Sequence, residues 1–313
     1  MLSRVAERMF WIGRYMERVE STALLLRVNT NLALDLPNSK HVWGSLIDIT
    51  GDKDSFHETY QLENEQNVVK FLTGGETSSI RTALKNAREN ARTSREIMPR
   101  EAWEKINKLH HFVENNLKTP LKREGRDAFL GEVIGRCHEF TGYLTGCMSV
   151  TQAFNFMKLG RKLERADMTT RILDIGCYNL NDPKHTELAD YELLLWTSLL
   201  MSVSGYQMYR QHVDDHVNGE DVADFLLRDE HFPRSVDFCL DEVSECCEQL
   251  PLSDEPQRAT NLAQRRIKNS NVIDLFSSGE LHWFIDEVQL DLARIHHQVE
   301  TTWFTYRNDS VTE

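Results

Sequence analysis

The sequence predicts an all-α protein of roughly ten to twelve antiparallel helices, and three observations support this prediction. Apolar residues recur at helical spacing over long stretches, and no stretch alternates apolar and polar residues as a half-buried strand does. Glycine and proline are both scarce, at 15 and 7 of 313 residues, which disfavours a turn-rich β fold. The prolines fall between the periodic stretches, where helices begin or end: they are Pro37, Pro99, Pro120, Pro183, Pro233, Pro251 and Pro256.

Three apolar seams indicate the longest helices. The first runs through residues 2–26 in steps of three and four residues, an unbroken a/d pattern over nearly four heptads. The second covers residues 80–98 and contains small residues that allow another helix to approach closely. The third covers residues 156–173, and a further helix over about 126–146 precedes it. Helices of this kind, joined by short connections, are typical of antiparallel packing.

The chain also contains an internal repeat. Residues 13–22 and 160–169 share the pattern G-R-x-[ML]-E-R-[VA]-[ED]-x-T, at an offset of 147. Such self-similarity predicts two related helical halves, residues 1–120 and 121–313, packed as one pseudo-two-fold body in which the second half has an extra leading helix. Weaker matches follow in the same order at offsets of 153 to 156: residues 43–47 with 196–200, 71–72 with 225–226, and 79–80 with 235–236.

Charged residues lie beside the apolar seam in both repeats. Glu17 and Glu20 share a helical face, and Glu164 and Asp167 do the same. The sequence therefore predicts that up to four carboxylates meet in a polar cleft between the halves. A cationic stripe over residues 81–95 could complement them. The candidate residues of this cleft are Arg14, Glu17, Arg18, Glu20, Arg88, Arg92, Arg161, Glu164, Arg165, Asp167 and Arg210.

Three interpretations of these charges remain open. The acidic and basic side chains can pair with each other at helix interfaces, since charges beside a core must be paired to be tolerated. Arginine guanidinium groups can instead recognise a carboxylate, a phosphate or a peptide group of a ligand. Carboxylates crowded in one pocket can also perform acid–base catalysis, because crowding drives their pKa values apart.

Composition and motifs argue against several classes of protein. The formal net charge of −13 disfavours a general nucleic-acid binder, and no apolar stretch is long enough for a membrane span. The charged N-terminus does not read as a secretory signal, and the six cysteines form no C-x-x-C pair, so we expect a cytoplasmic protein with reduced thiols.

No cofactor or metal ion is expected. The sequence contains no P-loop, no dinucleotide fingerprint and no G-x-S-x-G motif. His212 and His216 have the spacing of two imidazoles on one helical face, but no third ligand is identifiable. The interpretation is a surface histidine pair.

The opening segment MLSRVAERMFWIGRYMERVESTALLLRV closely resembles the start of the bacterial alpha-E family. One departure is that Glu76-Thr77 stands where the family tends to have Asn-Pro. The resemblance covers essentially the whole chain, and it continues through residues 87–92, 103–104, 159–167, 209–210 and 232–236.

The resemblance implies an all-α protein whose family genes commonly neighbour ATP-grasp ligases and transglutaminase-like peptidases. It therefore suggests a role in peptide synthesis or modification and implies no established catalytic residue. Two hypotheses follow. The first is a non-catalytic helical binding or scaffold protein that acts with an ATP-grasp peptide ligase and can hold a peptide or carboxylate ligand. The alternative is an enzyme of peptide or amide chemistry that uses the carboxylate and arginine cleft.

Overall fold

Two long helices, α1 (Ser3–Asp35) and α8 (Gln152–Asn181), cross at the centre of the protein in the computed structural model. The structure describes residues 1–36, 40–181 and 190–305. Within those residues the fold is all-α, as the sequence predicts: fifteen α-helices and one π-helical turn are present, and there is no strand. The predicted number of helices, ten to twelve, was too low.

The other helices surround this central pair. In chain order they are α2 (Lys40–Thr50), α3 (Lys53–Thr59), α4 (Glu65–Gly74), α5 (Ile80–Thr93), α6 (Arg100–Asn116), α7 (Arg123–Cys147), α9 (Glu192–Ser202), α10 (Tyr206–His212), α11 (Gly219–Arg228), α12 (Val236–Glu248), α13 (Asp254–Lys268), α14 (Val272–Ser278) and α15 (Leu281–Val299), and the π-helical turn is Glu300–Phe304.

The helices that the sequence did not separate are short. Helices α3, α10 and α14 have seven residues each, which is too few to show a helical period. Local capping marks the start of some short helices more clearly. The side chains of Asn64, Asn218 and Asn271 accept hydrogen bonds from the third residue beyond them, at the first turns of α4, α11 and α14.

The prolines of the described chain stand where helices begin or in the segments between them. Pro99 precedes α6, and Pro256 lies in the first turn of α13, where its missing N–H has no helical partner to lose. Pro37 and Pro183 lie outside the described residues.

Helix α1 is buried on several sides. The predicted seam is in the core from Met9 to Leu26, whereas Leu2 is exposed. Polar residues on its other faces, including Glu17 and Glu20, are buried as well. The reason is that α5, α7 and α8 all pack against α1, so its charged row faces protein. A helix enclosed in this way needs partners for each of those charges.

Helices α1 and α8 approach most closely at two glycines. A Cβ atom at Gly13 would lie 2.1 Å from the backbone oxygen of Met157, and one at Gly160 would lie 2.1 Å from that of Phe10. In each case the carbonyl belongs to the residue three positions before the other glycine, so the contact is reciprocal. The two glycines are required here because any side chain would push the helices apart.

The helices around α1 and around α8 are placed in similar ways. Helix α5 packs against α1 and α12 packs against α8. The side chains of Ser79 and Ser235 cap these two helices, each accepting the backbone N–H three residues on at 3.1 Å. Helix α6 then contacts α5 and α7 beside α1, and α13 contacts α12 and α15 beside α8. In the described ranges, no helix combines the length and the apolarity that crossing a membrane requires.

Candidate functional site

A buried group of ion pairs joins α1 to α8 just beyond the glycine crossing. We call it the ion-pair cluster; it consists of Arg14, Glu17, Arg18, Glu20, Glu164, Arg165 and Arg234. At one end, Glu164 on α8 accepts from Arg14 Nε at 2.6 Å and from Arg18 Nε at 2.6 Å, both on α1. Glu164 is only 2% exposed. Two guanidinium groups therefore neutralise one enclosed carboxylate.

The other end of the cluster is centred on Glu17. Arg165 donates to both of its carboxylate oxygens, from Nε at 2.8 Å and from Nη2 at 2.7 Å. Arg234, which immediately precedes the N-cap of α12, donates to Glu17 from Nη1 at 2.9 Å and to Glu20 from Nη2. His138 on α7 lies 3.1 Å from Glu20. The Glu17 end thus joins α1 to three other elements: α7, α8 and the segment before α12.

The two ends are linked by an exchange between two Glu-Arg dipeptides. Glu17 of the first dipeptide pairs with Arg165 of the second, and Arg18 of the first pairs with Glu164 of the second. Since the glycine crossing brings the two helix faces together, each dipeptide supplies the counter-ion that the other requires. The arrangement fixes the rotation of one helix relative to the other, because a rotation would break charge-assisted hydrogen bonds on both sides.

The cluster holds Glu17 and Glu164 in the ionised form. Burial on its own would raise the pKa of Glu17, but the charges of Arg165 and Arg234 outweigh it and lower the pKa to about 2. Burial likewise opposes ionisation of Glu164, and the charges of Arg14 and Arg18 lower its pKa below the ordinary value. Neither group is suited to take up and release a proton near neutral pH.

Of the four arginines in the repeated motif, Arg161 is the one that the ion-pair cluster leaves out. It occupies the position in the second repeat that Arg14 occupies in the first, yet it forms no hydrogen bond or ion pair with the described residues. Its Nε is enclosed and lacks an acceptor. Burial, reinforced by the charge of Arg165, lowers the pKa of Arg161. The side chain lines a narrow cleft between α1, α7 and α8, which we call the inner cleft.

Asp167 faces a second and larger space, the outer cleft, between α8 and α15. This cleft encloses about 1000 Å³ including the solvent at its mouth. Asp167 accepts from Arg171 Nε at 3.1 Å and lies 4.0 Å from Arg14 Nη2. His296 lies 3.2 Å from Arg14 Nη1, and burial followed by the charge of Arg14 lowers the pKa of its imidazole. The outer cleft is therefore polar and has both signs of charge.

Three residues of the predicted set lie outside both clefts and the ion-pair cluster. Arg88 donates to Asn107 at 2.7 Å and lies over the ring of Trp103, so it contributes to the contact between α5 and α6. Arg92 pairs with Glu89 on its own helix. Arg210 pairs with Asp215 at 3.0 Å near the end of α10. The cationic stripe of α5 thus does not complement the carboxylates beside the α1 seam.

Sequence reasoning missed Arg234, His138 and His296. None of them belongs to the repeat or lies beside one of the seams, and each reaches the site from a different packed element. Arg234 carried a weak signal, since residues 232–236 are among those that carry the family resemblance. No spacing along the chain indicates that an arginine more than 200 residues away donates a hydrogen bond to Glu17.

One group of three residues in the described chain could hold a metal ion. Ligand atoms of Asp174, His282 and Asp286 lie within 4.8 Å of one another. His282 Nδ1 is 2.6 Å from Asp174 and its Nε2 is 3.7 Å from Asp286, and the hydrogen bond with Asp174 raises the pKa of His282. The contacts of His282 with Asp174 and Asp286 explain this geometry without a metal ion.

The histidine pair considered from the sequence does not share a helical face. Helix α10 ends at His212, and His216 lies in the segment that follows. The prediction of two imidazoles one helical turn apart is therefore wrong. The helix stops there because the chain turns so that the Tyr209 hydroxyl donates to the backbone oxygen of His216.

A family model described as Alpha-E, a predicted alpha-helical domain with a conserved ER motif, matches residues 1–304. The chain belongs to the Alpha-E family. Glu-Arg dipeptides occur here at residues 7–8, 17–18 and 164–165, and the last two are those that exchange partners in the ion-pair cluster. The structure therefore gives a physical reason why an Alpha-E chain needs glutamate and arginine side by side.

Two curated relatives carry names that assign no function to them. Uncharacterised proteins of Mycobacterium bovis and Mycobacterium tuberculosis are each 21% identical to it over 296 residues. The match covers 87% of this chain but 33% of each relative, so the chain spans about a third of the length of the curated relatives it matches. No solved structure matches the chain.

Proposed function

We propose that the protein is a non-catalytic helical binding or scaffold protein of a bacterial peptide synthesis or modification system, and that it acts in the cytoplasm with an ATP-grasp peptide ligase. A transglutaminase-like peptidase is the second partner that the family resemblance suggests. The observation that carries the non-catalytic role is the closure of the ion-pair cluster. Glu17 and Glu164, the strongest candidates for acid–base work, are enclosed and neutralised by arginines.

The chemistry of these two carboxylates supports a structural role. A general acid or base must exchange a proton near the working pH and must reach a substrate. Glu17 is 1% exposed, and its pKa is lowered to about 2, so it meets neither requirement. The ion pairs of the cluster hold α1 and α8 together and determine how the two helices pack.

The length of the curated relatives supports a role with partners. Those proteins extend to about three times the region matched by this chain. A helical unit that forms part of a longer chain in relatives is well placed to work beside other proteins here. The gene neighbourhood implied by the resemblance provides the class of partner, an ATP-grasp ligase.

The scaffold that we propose is built from two duplicated halves, residues 1–120 and 121–313, packed as one body. The reciprocal contacts of Gly13 and Gly160 and the exchange between the two Glu-Arg dipeptides favour this origin. Both would arise naturally if one helical unit had doubled and its copies packed about a pseudo-two-fold axis.

The test is association with a purified ATP-grasp peptide ligase from the same organism. Size-exclusion chromatography with light scattering would measure the mass of a mixture of the two purified proteins, and a ligase assay would follow peptide formation as the chain is added. We expect a complex and an altered ligase rate. An unrelated acidic helical protein at equal concentration is the control, and the absence of both a complex and a rate effect would overturn the proposal.

A second candidate function is an enzyme of peptide or amide chemistry, and the outer cleft favours it. That cleft opens to solvent and is lined by Arg14, Asp167 and His296. The test is turnover of ATP and candidate peptides by the chain without the ligase. Activity that Asp167→Asn removes without lowering the melting temperature would establish the enzyme and overturn the non-catalytic role.

A further inference from the structure

The inner cleft contains an arginine, Arg161, that forms no hydrogen bond or ion pair with the described residues. Glu17, which lines it, is bound by Arg165 and Arg234, and Glu20 is bound by Arg234 and His138. Lys158, also on its wall, pairs with Glu242 at 3.0 Å and with Glu245 at 3.2 Å. Among the described charged residues of this cleft, Arg161 alone has no hydrogen-bonded partner.

An arginine in that condition is unusual, because an enclosed N–H group without an acceptor carries a desolvation penalty. The equivalent arginine of the first repeat shows the normal outcome. Arg14 donates from Nε to the carboxylate of Glu164 at 2.6 Å. The corresponding carboxylate for Arg161 would be Glu17, but Arg234 binds Glu17 instead. Arg161 therefore faces the inner cleft with its hydrogen-bond donors unused.

The walls of the inner cleft indicate what kind of anion would fit. They are mainly apolar and include Met16, Phe140, Leu144, Phe154 and Met157. Thr141 also lines the cleft, and its hydroxyl forms no hydrogen bond within the described residues. The space of about 410 Å³ includes the open solvent at the mouth, and the enclosed part is narrow, so only a small group can enter it.

The same walls disfavour a highly charged anion. The carboxylates of Glu17 and Glu20 lie on the cleft as well, so a phosphate dianion would be repelled more strongly than a single carboxylate. A planar carboxylate also matches the parallel donors of a guanidinium group. Apolar side chains next to this charge favour a ligand that carries an apolar group beside its carboxylate.

We propose that the inner cleft binds a monocarboxylate carried on a short apolar group, as found at the C-terminus of a peptide that ends in an apolar residue. Arg161 would hold the carboxylate, the Thr141 hydroxyl would donate a second hydrogen bond, and the apolar walls would contact the terminal side chain. This site rests on the proposed binding role and names a ligand for it. A free short-chain carboxylic acid has the same chemistry and is the other possible source.

The experiment measures binding to the isolated chain by calorimetry and by NMR. The probes are N-acetyl-Ala-Leu, its C-terminal amide, hexanoate and inorganic phosphate. We expect the peptide acid or hexanoate to bind, and the amide and phosphate to bind at least about tenfold more weakly, because they lack the singly charged carboxylate. Tighter binding of the peptide acid identifies a peptide terminus, and tighter binding of hexanoate identifies a free acid.

Variants then test the assigned residue. Arg161→Met keeps the side-chain volume and removes the guanidinium group, so the affinity for the carboxylate should fall at least about tenfold. Arg161→Lys keeps the charge and should retain part of the affinity. Arg171→Met, on the same helix but facing the outer cleft, is the matched control and should bind normally.

Three results would overturn the site: no binding of either carboxylate, equal binding of the amide, or unchanged affinity in Arg161→Met. Circular dichroism melting of each variant would show that it is folded before binding is measured. The ligase is absent from this experiment, so a failure here would leave the proposed association with the ligase to be decided by its own test.

Discussion

The two ends of the ion-pair cluster begin from the same local sequence and are completed differently. At the Glu164 end, both arginines of the first repeat, Arg14 and Arg18, bind the carboxylate. At the Glu17 end, Arg165 binds as its counterpart Arg18 does, but Arg234 provides the second guanidinium group. Arg161, the counterpart of Arg14, is left without a partner.

This difference shows how a repeated motif acquires two roles. The repeat places charges at equivalent positions on two helices, and the elements packed around each helix then decide which charges are used. At the Glu17 end the segment before α12 brings Arg234 into the cluster. At the Glu164 end the motif arginines are all paired, whereas at the Glu17 end Arg161 has no partner. The contact between α1 and α8 can therefore provide both stability and a binding site.

The largest expected effect comes from removing one central carboxylate. Glu17→Gln leaves Arg165 without a counter-ion, and Glu164→Gln does the same to Arg18, so each should lower the free energy of unfolding by about 3–5 kcal/mol. We expect Glu17→Gln to be the more damaging, because Arg165 is 11% exposed whereas Arg18 is 26% exposed and can be partly hydrated. Denaturant titration measures both values.

The same measurement at low pH checks the cause. The pKa of Glu17 is lowered to about 2 in the folded protein from an ordinary value of 4.5. The stability from its ionised form is therefore complete above about pH 4.5 and is lost as the pH falls towards 2. The difference between the wild type and Glu17→Gln should shrink over that range. A difference independent of pH would contradict the electrostatic explanation, and Glu89→Gln, at an exposed pair, should change little.

The next effect concerns the glycine crossing, where α1 and α8 make equivalent contacts. A methyl group at Gly13 or at Gly160 would meet a backbone carbonyl at 2.1 Å, so each alanine variant should lose about 3 kcal/mol of stability. Gly142→Ala is the matched control, because it lies within α7 with no atom within 4 Å of the added group. It should be neutral or stabilise the helix. If the two alanine variants lost different amounts of stability, the two halves of the crossing would not contribute equally to the free energy of unfolding.

A smaller effect separates the two equivalent arginines. Arg14→Met removes one counter-ion of Glu164 and should lower the stability by about 2 kcal/mol. Arg161→Met removes a partly buried charge that has no partner, so the stability should be unchanged or should rise by about 1 kcal/mol. Thermal and chemical unfolding of the two variants give the comparison. Equal losses would mean that Arg161 has a structural partner after all.

The smallest effect concerns the histidines at the two ends. The hydrogen bond to Glu20 raises the pKa of His138, whereas burial and the charge of Arg14 lower the pKa of His296. NMR titration should therefore find His138 above its ordinary value of 6.5 and His296 below it. His138 should add a few tenths of a kcal/mol below about pH 6.5, lost as the pH rises through its folded pKa. His138→Gln should remove this dependence, and a reversed order of the two pKa values would contradict the assignment.

The sequence by itself determined the all-α class, the main long helices and the charged rows beside their seams. Apolar periodicity over 18 to 25 residues is a strong local signal, and an amphipathic repeat fixes which side chains share a helical face. For this reason Glu17, Arg18, Glu164 and Arg165 could be predicted to act together. The three seven-residue helices could not be separated, because seven residues are too few to show a helical period in apolar residues.

The tertiary structure decided which of these charges are paired. An ion pair forms between atoms that packing brings within about 3 Å, and nothing in the spacing of the chain brings Arg234 to Glu17 or holds Arg88 and Arg92 away from it. The closed cluster, the partnerless Arg161 and the two clefts all follow from how α7, α12 and α15 pack around the central pair. Local sequence determines which residues share a face of a helix. Which faces then contact each other depends on the free energy of packing the whole core.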